Sequence, residues 1–216
     1  MSDNTSRNLE SHWKSKLQKG SILLLRSILP VIIRKNLARV YHTRRMRRLP
    51  DRIYMERELI PAIARHRGKI LFVGCEYYTK HYPALFEMDG GECSTIDINP
   101  SVARWGAPSR HVISAFQDAR NHWPAASFDY IVLSGVFGHG INGEEDQNEA
   151  LRVCSFLLKS GGWLILGWNK DKLNEVNPPA LSVLQREYRP ASLEGLEQRK
   201  TFPESTHVYL SYVRID

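Results

Sequence analysis

Three side chains that could bind a nucleoside or move a proton stand where apolar segments of this sequence end. Asp97 closes the segment "CSTIDIN", Asp118 follows "HVISAF", and His139 follows "FDYIVLSGVF". A carboxylate such as Asp97 can accept hydrogen bonds from both hydroxyls of a ribose. Asp118, next to Ala119, would suit the amino group of an adenine. The imidazole of His139 could serve as a general base on an O–H or N–H group, or could have only a packing role.

A glycine turn after the segment "KILFV" is the fourth candidate. Gly74 allows the backbone to approach a ligand because it has no Cβ. A phosphate or nucleoside loop would normally continue with more glycines, but Glu76, Tyr77 and Tyr78 follow here. The turn is either a cofactor loop with unusual contents or a buried strand that runs into a helix.

The elements that must position these residues alternate between strands and helices. Five apolar segments are typical of strands: "KILFV", "CSTIDIN", "HVISAF", "FDYIVLSGVF" and "WLILGW". Helical segments precede or separate them, including "DRIYMERELIPAIARHR" and "EALRVCSFLLKSGG". The alternation predicts an α/β fold with a doubly wound, mostly parallel, seven-stranded Rossmann-like sheet, whose ligand lies at the carboxyl ends of the strands. "LEQRKTF" and "THVYLSYVRI", separated by "PES", predict a C-terminal antiparallel hairpin.

The positive charge is confined to an N-terminal arm. Residues 1–50 hold 12 Lys or Arg against 2 acids, a balance of +10, so the remainder of this +7 chain carries 7 − 10 = −3. We therefore predict a basic, amphipathic helical arm over residues 1–50 and a ligand-binding domain over 51–216. The arm fits a cap over the core, an element resting on an anionic membrane surface, or a contact with nucleic acid phosphates.

The cysteines and the N-terminus indicate the compartment. Cys75, Cys93 and Cys154 lie far apart and form no CxxC pair, so neither a zinc site nor a disulfide framework is indicated. The first 20 residues lack the apolar core of a signal peptide. We expect a cytoplasmic protein without a metal, peripheral to the membrane if its arm binds lipid.

The order of these segments resembles the class I S-adenosylmethionine-dependent methyltransferases. "ILFVGCE" is similar to the family's first glycine motif and "STIDINPSVARWG" to its second-strand motif. "AFQDARNHWPAASFDYIVLSGVFGH" and "NEALRVCSFLLKSGGWLILGWNK" are similar to the segments that follow. The resemblance covers about half of the chain, and it implies S-adenosylmethionine as cofactor and a small-molecule acceptor.

The resemblance also implies roles for individual residues. The cofactor-binding residues would be Gly74, Cys75, Glu76, Tyr77, Asp97, Ile98, Asp118, Ala119 and Ser134. The catalytic residues would be His139 and Tyr78. Family members usually carry an acid where Phe72 stands and glycines where Glu76 and Tyr78 stand. Glu76 could instead contact the ammonium group of the cofactor, and Tyr77 or Tyr78 could lie against its sulfonium by cation–π attraction.

Three functions remain open from the sequence. The first is a methyltransferase acting on a small metabolite, with the arm as a lid. The second is an enzyme that uses S-adenosylmethionine for other chemistry, such as intramolecular displacement. The third is a non-catalytic binding or membrane-surface protein on a degenerate fold. Nucleic acid is disfavoured as the acceptor because residues 51–216 are slightly acidic, and the sequence assigns no oligomeric state.

Overall fold

The structure is a computed structural model that describes residues 40–173 and 176–215. The chain divides between Arg45 and Met46 into two units. Of the first unit, residues 40–45 are described, and they are helical. Most of the predicted arm therefore lies outside the described residues, and its roles stay predictions. Residues 46–50, which the sequence analysis assigned to the arm, belong to the second unit.

A helical segment with a wide turn at its centre leads into the sheet. Helix α1 (Pro50–Tyr54) passes through a π-helical turn (Met55–Leu59) into helix α2 (Ile60–Ala64). Pro61 accounts for the wide turn, because its ring has no N–H and would collide with the carbonyl group four residues earlier. The N–H of Ile60 accordingly reaches back five residues to the carbonyl of Met55.

Within residues 40–173 and 176–215, eight strands form one sheet in the order β3-β2-β1-β4-β5-β8-β6, and β7 also pairs with β8. The strands are β1 (Lys69–Val73), β2 (Glu92–Asp97), β3 (His111–Ile113), β4 (Phe128–Ser134), β5 (Leu158–Asn169), β6 (Tyr188–Pro190), β7 (Arg199–Phe202) and β8 (Ser205–Arg214). Strands β1 to β5 pair in parallel. Strand β8 is antiparallel to β5, β6 and β7.

Each connection from β1 through β6 contains one or more helices, and most of these are short. The α-helices are α3 (Tyr82–Phe86), α4 (Glu144–Leu157) and α5 (Ser182–Glu187). The 3₁₀ turns are Tyr77–Thr79, Pro100–Trp105, Phe116–Asn121, Lys170–Lys172 and Pro178–Ala180. In the part of the chain that the structure describes, none of the helices has the length and apolar character required to cross a bilayer.

After its exposed first residue, Lys69, strand β1 is apolar because both faces of the sheet are covered. Leu71 and Val73 belong to a core cluster that includes residues of α4 and α5. Ile70 and Phe72 point to the other face and join residues of α1, α2 and α3. Successive strand residues alternate between faces, so a strand buried on both sides has no polar position.

The doubly wound, mostly parallel sheet and its C-terminal hairpin are confirmed by this topology. The count differs by one, because the short edge strand β6 was not predicted. Its three residues pair only with the C-terminal end of β8, and a segment so short has no periodicity that the sequence could reveal. The predicted glycine stop of α4 also differs: the helix ends at Leu157, and residues 158–162 already belong to β5.

Candidate active site

A cleft of about 660 Å³ opens at the carboxyl ends of the parallel strands. It lies where the strand order reverses, since β1 has β2 on one side and β4 on the other. The residues that end β2, β4 and β5, which are Asp97, Ser134 and Asn169, all line it. The topology therefore brings together side chains that are far apart in the sequence.

The turn after β1 needs one glycine. Gly74 has a φ of +87°, a conformation that favours glycine. Glu76 has a φ of −140°, which any residue can adopt, so the missing second glycine does not strain the backbone. The loop then closes through Thr79, whose Oγ1 accepts the N–H of Glu76 at 3.0 Å. This geometry accommodates the unusual contents of the loop.

Asp97 joins two loops of the cleft. Its Oδ2 accepts the backbone N–H of Cys75 at 2.7 Å, and its Oδ1 accepts the N–H of Asn99 at 2.7 Å. Each carboxylate oxygen can accept a second hydrogen bond. The carboxylate is therefore held in a fixed orientation while it keeps acceptor capacity for a ligand. The exposed Ile98 lines the cleft beside it.

The two tyrosines of the loop point in different directions. Tyr77 packs edge-on against Trp105, with ring centroids 5.5 Å apart, and does not line the cleft. Tyr78 lines the cleft, and its ring centroid is 5.2 Å from the guanidinium carbon of Arg52. Of the two predicted sulfonium contacts, only Tyr78 is near the cleft. Glu76 also lines it, with an exposed side chain.

After β3, the residues that line the cleft end one position before the predicted Asp118. Gln117 lines the cleft, whereas Asp118 is exposed and outside its lining. Ala119 is fully buried in the core cluster shared with α4. All three lie in the 3₁₀ turn Phe116–Asn121, in which neighbouring side chains point about 120° apart. The sequence pattern could not determine which of them faces the ligand.

The other predicted residues lie around the end of β4. The Oγ of Ser134 is buried and makes no hydrogen bond of good geometry with the described residues, although the side chain of Tyr209 lies close to it. His139, five residues further along the chain, is exposed and lines the cleft. An unpaired buried hydroxyl beside a cleft is a candidate contact for a ligand.

A chain of hydrogen bonds at the far end of the cleft orients His207, which the sequence analysis did not select. Thr206 Oγ1 donates to Asp171 Oδ1 at 2.5 Å and accepts from Asn169 Nδ2 at 2.9 Å. Asn169 Oδ1 in turn lies 3.2 Å from His207 Nδ1. The carboxylate of Asp171 can only accept, so the Thr206 hydroxyl donates to it and accepts from the amide N–H of Asn169. The amide oxygen of Asn169 therefore faces His207 and accepts from Nδ1, which carries the proton, while Nε2 presents a lone pair.

Burial determines the charge of that imidazole. Only 1% of the surface of His207 is exposed. Burial, together with the nearby cation of Arg52 and with His139, lowers the pKa of His207 to about 3. The side chain is therefore a neutral hydrogen-bond acceptor at physiological pH rather than a base. Its Nε2 has no hydrogen-bond partner within the described part of the chain.

Comparison with known proteins assigns the family. Residues 71–166 match the family model described as "Methyltransferase domain". This region is a class I, S-adenosylmethionine-dependent methyltransferase domain. The sequence-based prediction of the family, of an enzyme, and of S-adenosylmethionine as the cofactor is therefore confirmed. A comparison with curated protein sequences gave no match.

Solved structures with this fold are only distantly similar in sequence. A TehB-like SAM-dependent methyltransferase from Corynebacterium glutamicum is 22% identical with a TM-score of 0.58, and the match covers 83% of this chain and 99% of that one. The N-methyltransferase NodS from Bradyrhizobium japonicum, in complex with S-adenosyl-L-homocysteine, is 16% identical with a TM-score of 0.57, covering 80% and 91%.

A third similar structure contains two bound molecules. The 1,6-didemethyltoxoflavin-N1-methyltransferase from Burkholderia thailandensis was crystallised with 1,6-didemethyltoxoflavin and S-adenosylhomocysteine. It is 15% identical with a TM-score of 0.52, covering 86% of this chain and 88% of that one. At these identities the likenesses establish the fold.

Proposed function

We propose that this protein transfers the methyl group of S-adenosylmethionine to a small-molecule acceptor by in-line displacement in the cleft. The observation that carries the proposal is the carboxylate of Asp97, held by two backbone N–H groups at the tip of β2 with acceptor capacity left on both oxygens. A degenerate fold would have no reason to keep such an oriented carboxylate beside an open cleft.

The residues around Asp97 fit the nucleoside end of the cofactor. Asp97 accepts hydrogen bonds from the ribose hydroxyls, and Ile98 offers an apolar surface to the adenine. The predicted adenine contact of Asp118 and Ala119 remains a prediction. The amide of Gln117 is better placed for it, because this side chain lines the cleft.

The residues of the glycine turn and of β4 fit the amino-acid end. Gly74 and Cys75 bring backbone close to the ligand, and the carboxylate of Glu76 pairs with the ammonium group. The Oγ of Ser134 supplies a further hydrogen bond, which satisfies an otherwise unpaired buried hydroxyl. The Tyr77 ring, held against Trp105, supports this loop from outside the cleft.

S-adenosylmethionine supplies a methyl group that is already activated on a sulfonium. The protein therefore has mainly to align the acceptor and exclude water. Tyr78 forms a wall of the cleft for this purpose. His139 accepts a proton from an acceptor O–H or N–H group that must lose it. The neutral, deeply buried His207 cannot take that role, because its pKa is too low.

The size of the cleft supports a small acceptor. Its volume of about 660 Å³ falls in the range of sites for small molecules. A structurally similar enzyme holds the small molecule 1,6-didemethyltoxoflavin beside S-adenosylhomocysteine. The predicted lid and membrane-surface roles of the arm rest on its charge and pattern alone. The predicted cytoplasmic location likewise rests on the sequence alone.

Labelled-methyl transfer tests the proposal. The protein is incubated with S-adenosylmethionine carrying a labelled methyl group and a panel of small amines, phenols and carboxylates, and labelled products are counted by mass spectrometry. We expect acceptor-dependent release of S-adenosylhomocysteine, with a lower kcat but unchanged cofactor affinity in His139→Gln. Release of 5′-methylthioadenosine from the cofactor alone would favour the intramolecular reaction instead.

A further inference from the structure

The cleft has a cationic wall that the proposed function does not yet use. Arg52, from α1, lines the cleft although only 8% of its surface is exposed. Its Nε is buried and has no hydrogen-bond partner in the described part of the chain. A buried guanidinium with an unpaired N–H is unfavourable unless an anion or another acceptor satisfies it.

Among the described residues, one carboxylate forms an ion pair with this charge. Asp51 lies next to Arg52, and its Oδ2 is 3.5 Å from the Nε, an ion pair without a hydrogen bond. The other oxygen of Asp51 accepts the hydroxyl of Ser205 at 3.0 Å. Asp51 is itself buried and does not line the cleft. It therefore offsets the charge from outside the cleft, whereas Arg52 itself lines the cleft.

Aromatic residues hold the guanidinium in place. The ring of Tyr78 stacks near its carbon at 5.2 Å, which restricts the plane of the fork. The hydroxyls of Tyr82 and Tyr209 are buried and interact electrostatically with Arg52, and that of Tyr82 lies close to its guanidinium. Burial raises the pKa of all three tyrosines, that of Tyr209 to about 12. They are therefore neutral hydroxyls, and of the three only that of Tyr78 belongs to a residue that lines the cleft.

The cation persists at every working pH. Burial alone would lower the pKa of Arg52, but the tyrosines and Asp51 outweigh it and raise the pKa above its ordinary value. A rigid guanidinium at the wall of a cleft is complementary to a planar anion with two oxygens, and a carboxylate meets that description.

We infer that Arg52, held against Tyr78, is a binding site for the carboxylate of a small molecule in the cleft. The inference rests on the proposed function, because the two small molecules held there would be the cofactor and its acceptor. The carboxylate belongs either to the amino-acid end of the cofactor or to the acceptor. Both sources present the same chemistry to Arg52, and one experiment separates them.

The first arm uses two ligands that differ in the carboxylate. S-adenosylhomocysteine carries the amino-acid end, and 5′-methylthioadenosine lacks it. Calorimetry compares the wild-type protein with Arg52→Gln and Arg52→Lys. If the carboxylate is that of the cofactor, Arg52→Gln weakens S-adenosylhomocysteine at least about tenfold, as loss of a hydrogen bond between charged groups does. Its affinity for 5′-methylthioadenosine then stays unchanged, and Arg52→Lys is intermediate.

The second arm uses benzoate and its neutral analogue benzamide as probes, with and without saturating S-adenosylhomocysteine. Ligand-observed NMR measures their affinity. If the carboxylate is that of the acceptor, the wild-type protein prefers benzoate by at least about tenfold, and Arg52→Gln abolishes the preference. The matched control is Arg65→Gln, which removes an arginine that pairs with Glu194 outside the cleft.

The outcomes are distinct. Loss of carboxylate preference in either arm supports the site and names its source. Retained preference in both arms, in Arg52 variants with a cooperative unfolding transition, overturns it. Absence of S-adenosylhomocysteine binding to the wild-type protein would contradict the proposed function, while the benzoate arm without cofactor would still decide the carboxylate site. A folded Arg52→Lys protein keeps the test decisive if Arg52→Gln does not fold.

Discussion

The backbone N–H of Cys75 donates a hydrogen bond of 2.7 Å to Oδ2 of Asp97. This bond joins the turn after β1 to the end of β2, so the unusual loop and the candidate ribose-binding acid form one unit. The sequence raised the question whether "GCEYY" is a cofactor loop or a strand running into a helix. The bond to Asp97 and the position of Tyr78 in the cleft favour the first answer.

The turn at Gly74 should tolerate no side chain. Its φ of +87° makes Gly74→Ala strained, although a Cβ would meet its nearest neighbour, Val136, at an ordinary 3.6 Å. We expect a loss of about 1–2 kcal/mol in the free energy of unfolding, measured by urea denaturation, and weaker cofactor binding. Gly90→Ala is the control, because Gly90 has a φ of +95° and lies just before the start of β2, at the end of the strands away from the cleft. It should lose similar stability but bind normally; equal loss of affinity in both variants would argue against a role for the Gly74 turn.

Gly167 in β5 leaves space for three neighbouring side chains, one of which, Ser134, lines the cleft. A Cβ there would stand 2.7 Å from Ser134 Oγ, 2.9 Å from His207 Nε2 and 2.9 Å from Tyr209 Cε1. Gly167→Ala should therefore destabilise the fold by about 1–3 kcal/mol, as overpacking of a core does. Adding Ser134→Ala removes the closest contact and should restore part of the stability. No recovery in the double variant would place the strain elsewhere.

Acid should destabilise the protein through His207. Its folded-state pKa of about 3 lies below the ordinary value of 6.5. Between these two pH values, His207 is protonated in the unfolded chain but neutral in the native state. Stability is thus complete above pH 6.5 and falls as the pH decreases towards 3. Between pH 7.5 and 5 the wild-type protein should lose about 2 kcal/mol more than His207→Gln. Equal losses in the two proteins would show that His207 titrates normally.

The hydrogen-bond chain predicts the tautomer of His207. With Asn169 Oδ1 accepting from Nδ1, nitrogen NMR of the wild-type protein should show a protonated Nδ1 and an unprotonated Nε2 at neutral pH. Asn169→Ala removes that acceptor and should produce a mixture of tautomers. Thr206→Val, one step further along the chain, should have a smaller effect. An Nε2-protonated ring in the wild-type protein would contradict the assigned chain.

The sequence could predict those site residues whose position follows from the ends of strands. Gly74, Asp97 and Ser134 terminate or follow apolar runs, and parallel strands bring such positions to one edge. Asp118 was selected over Gln117 by residue type, but the phase of a 3₁₀ turn decides which one faces the cleft. Charge and residue type alone carry no information about that phase.

Two residues outside the parallel strands were missed: Arg52, which lines the cleft, and His207, which is buried beside the cleft residue Asn169. His207 arrives on β8, which begins beside the end of β5 because the two are antiparallel. No local pattern marks that register. Arg52 gave a weak signal: it lies three and seven residues before Met55 and Leu59, on the buried face of the helical segment. A cation at such a position indicates a buried partner or a ligand.

Calorimetric titration with S-adenosylmethionine tests the central claim most directly. The wild-type protein is compared with Asp97→Asn and with Asp129→Asn, a matched control whose Oδ2 accepts the N–H of Lys69 at 2.8 Å at the opposite end of β1. We predict binding to the wild-type protein and to Asp129→Asn, and a loss of at least about tenfold in Asp97→Asn. Equal affinities of the two variants, or no binding to the folded wild-type protein, would contradict the account of a working cofactor loop.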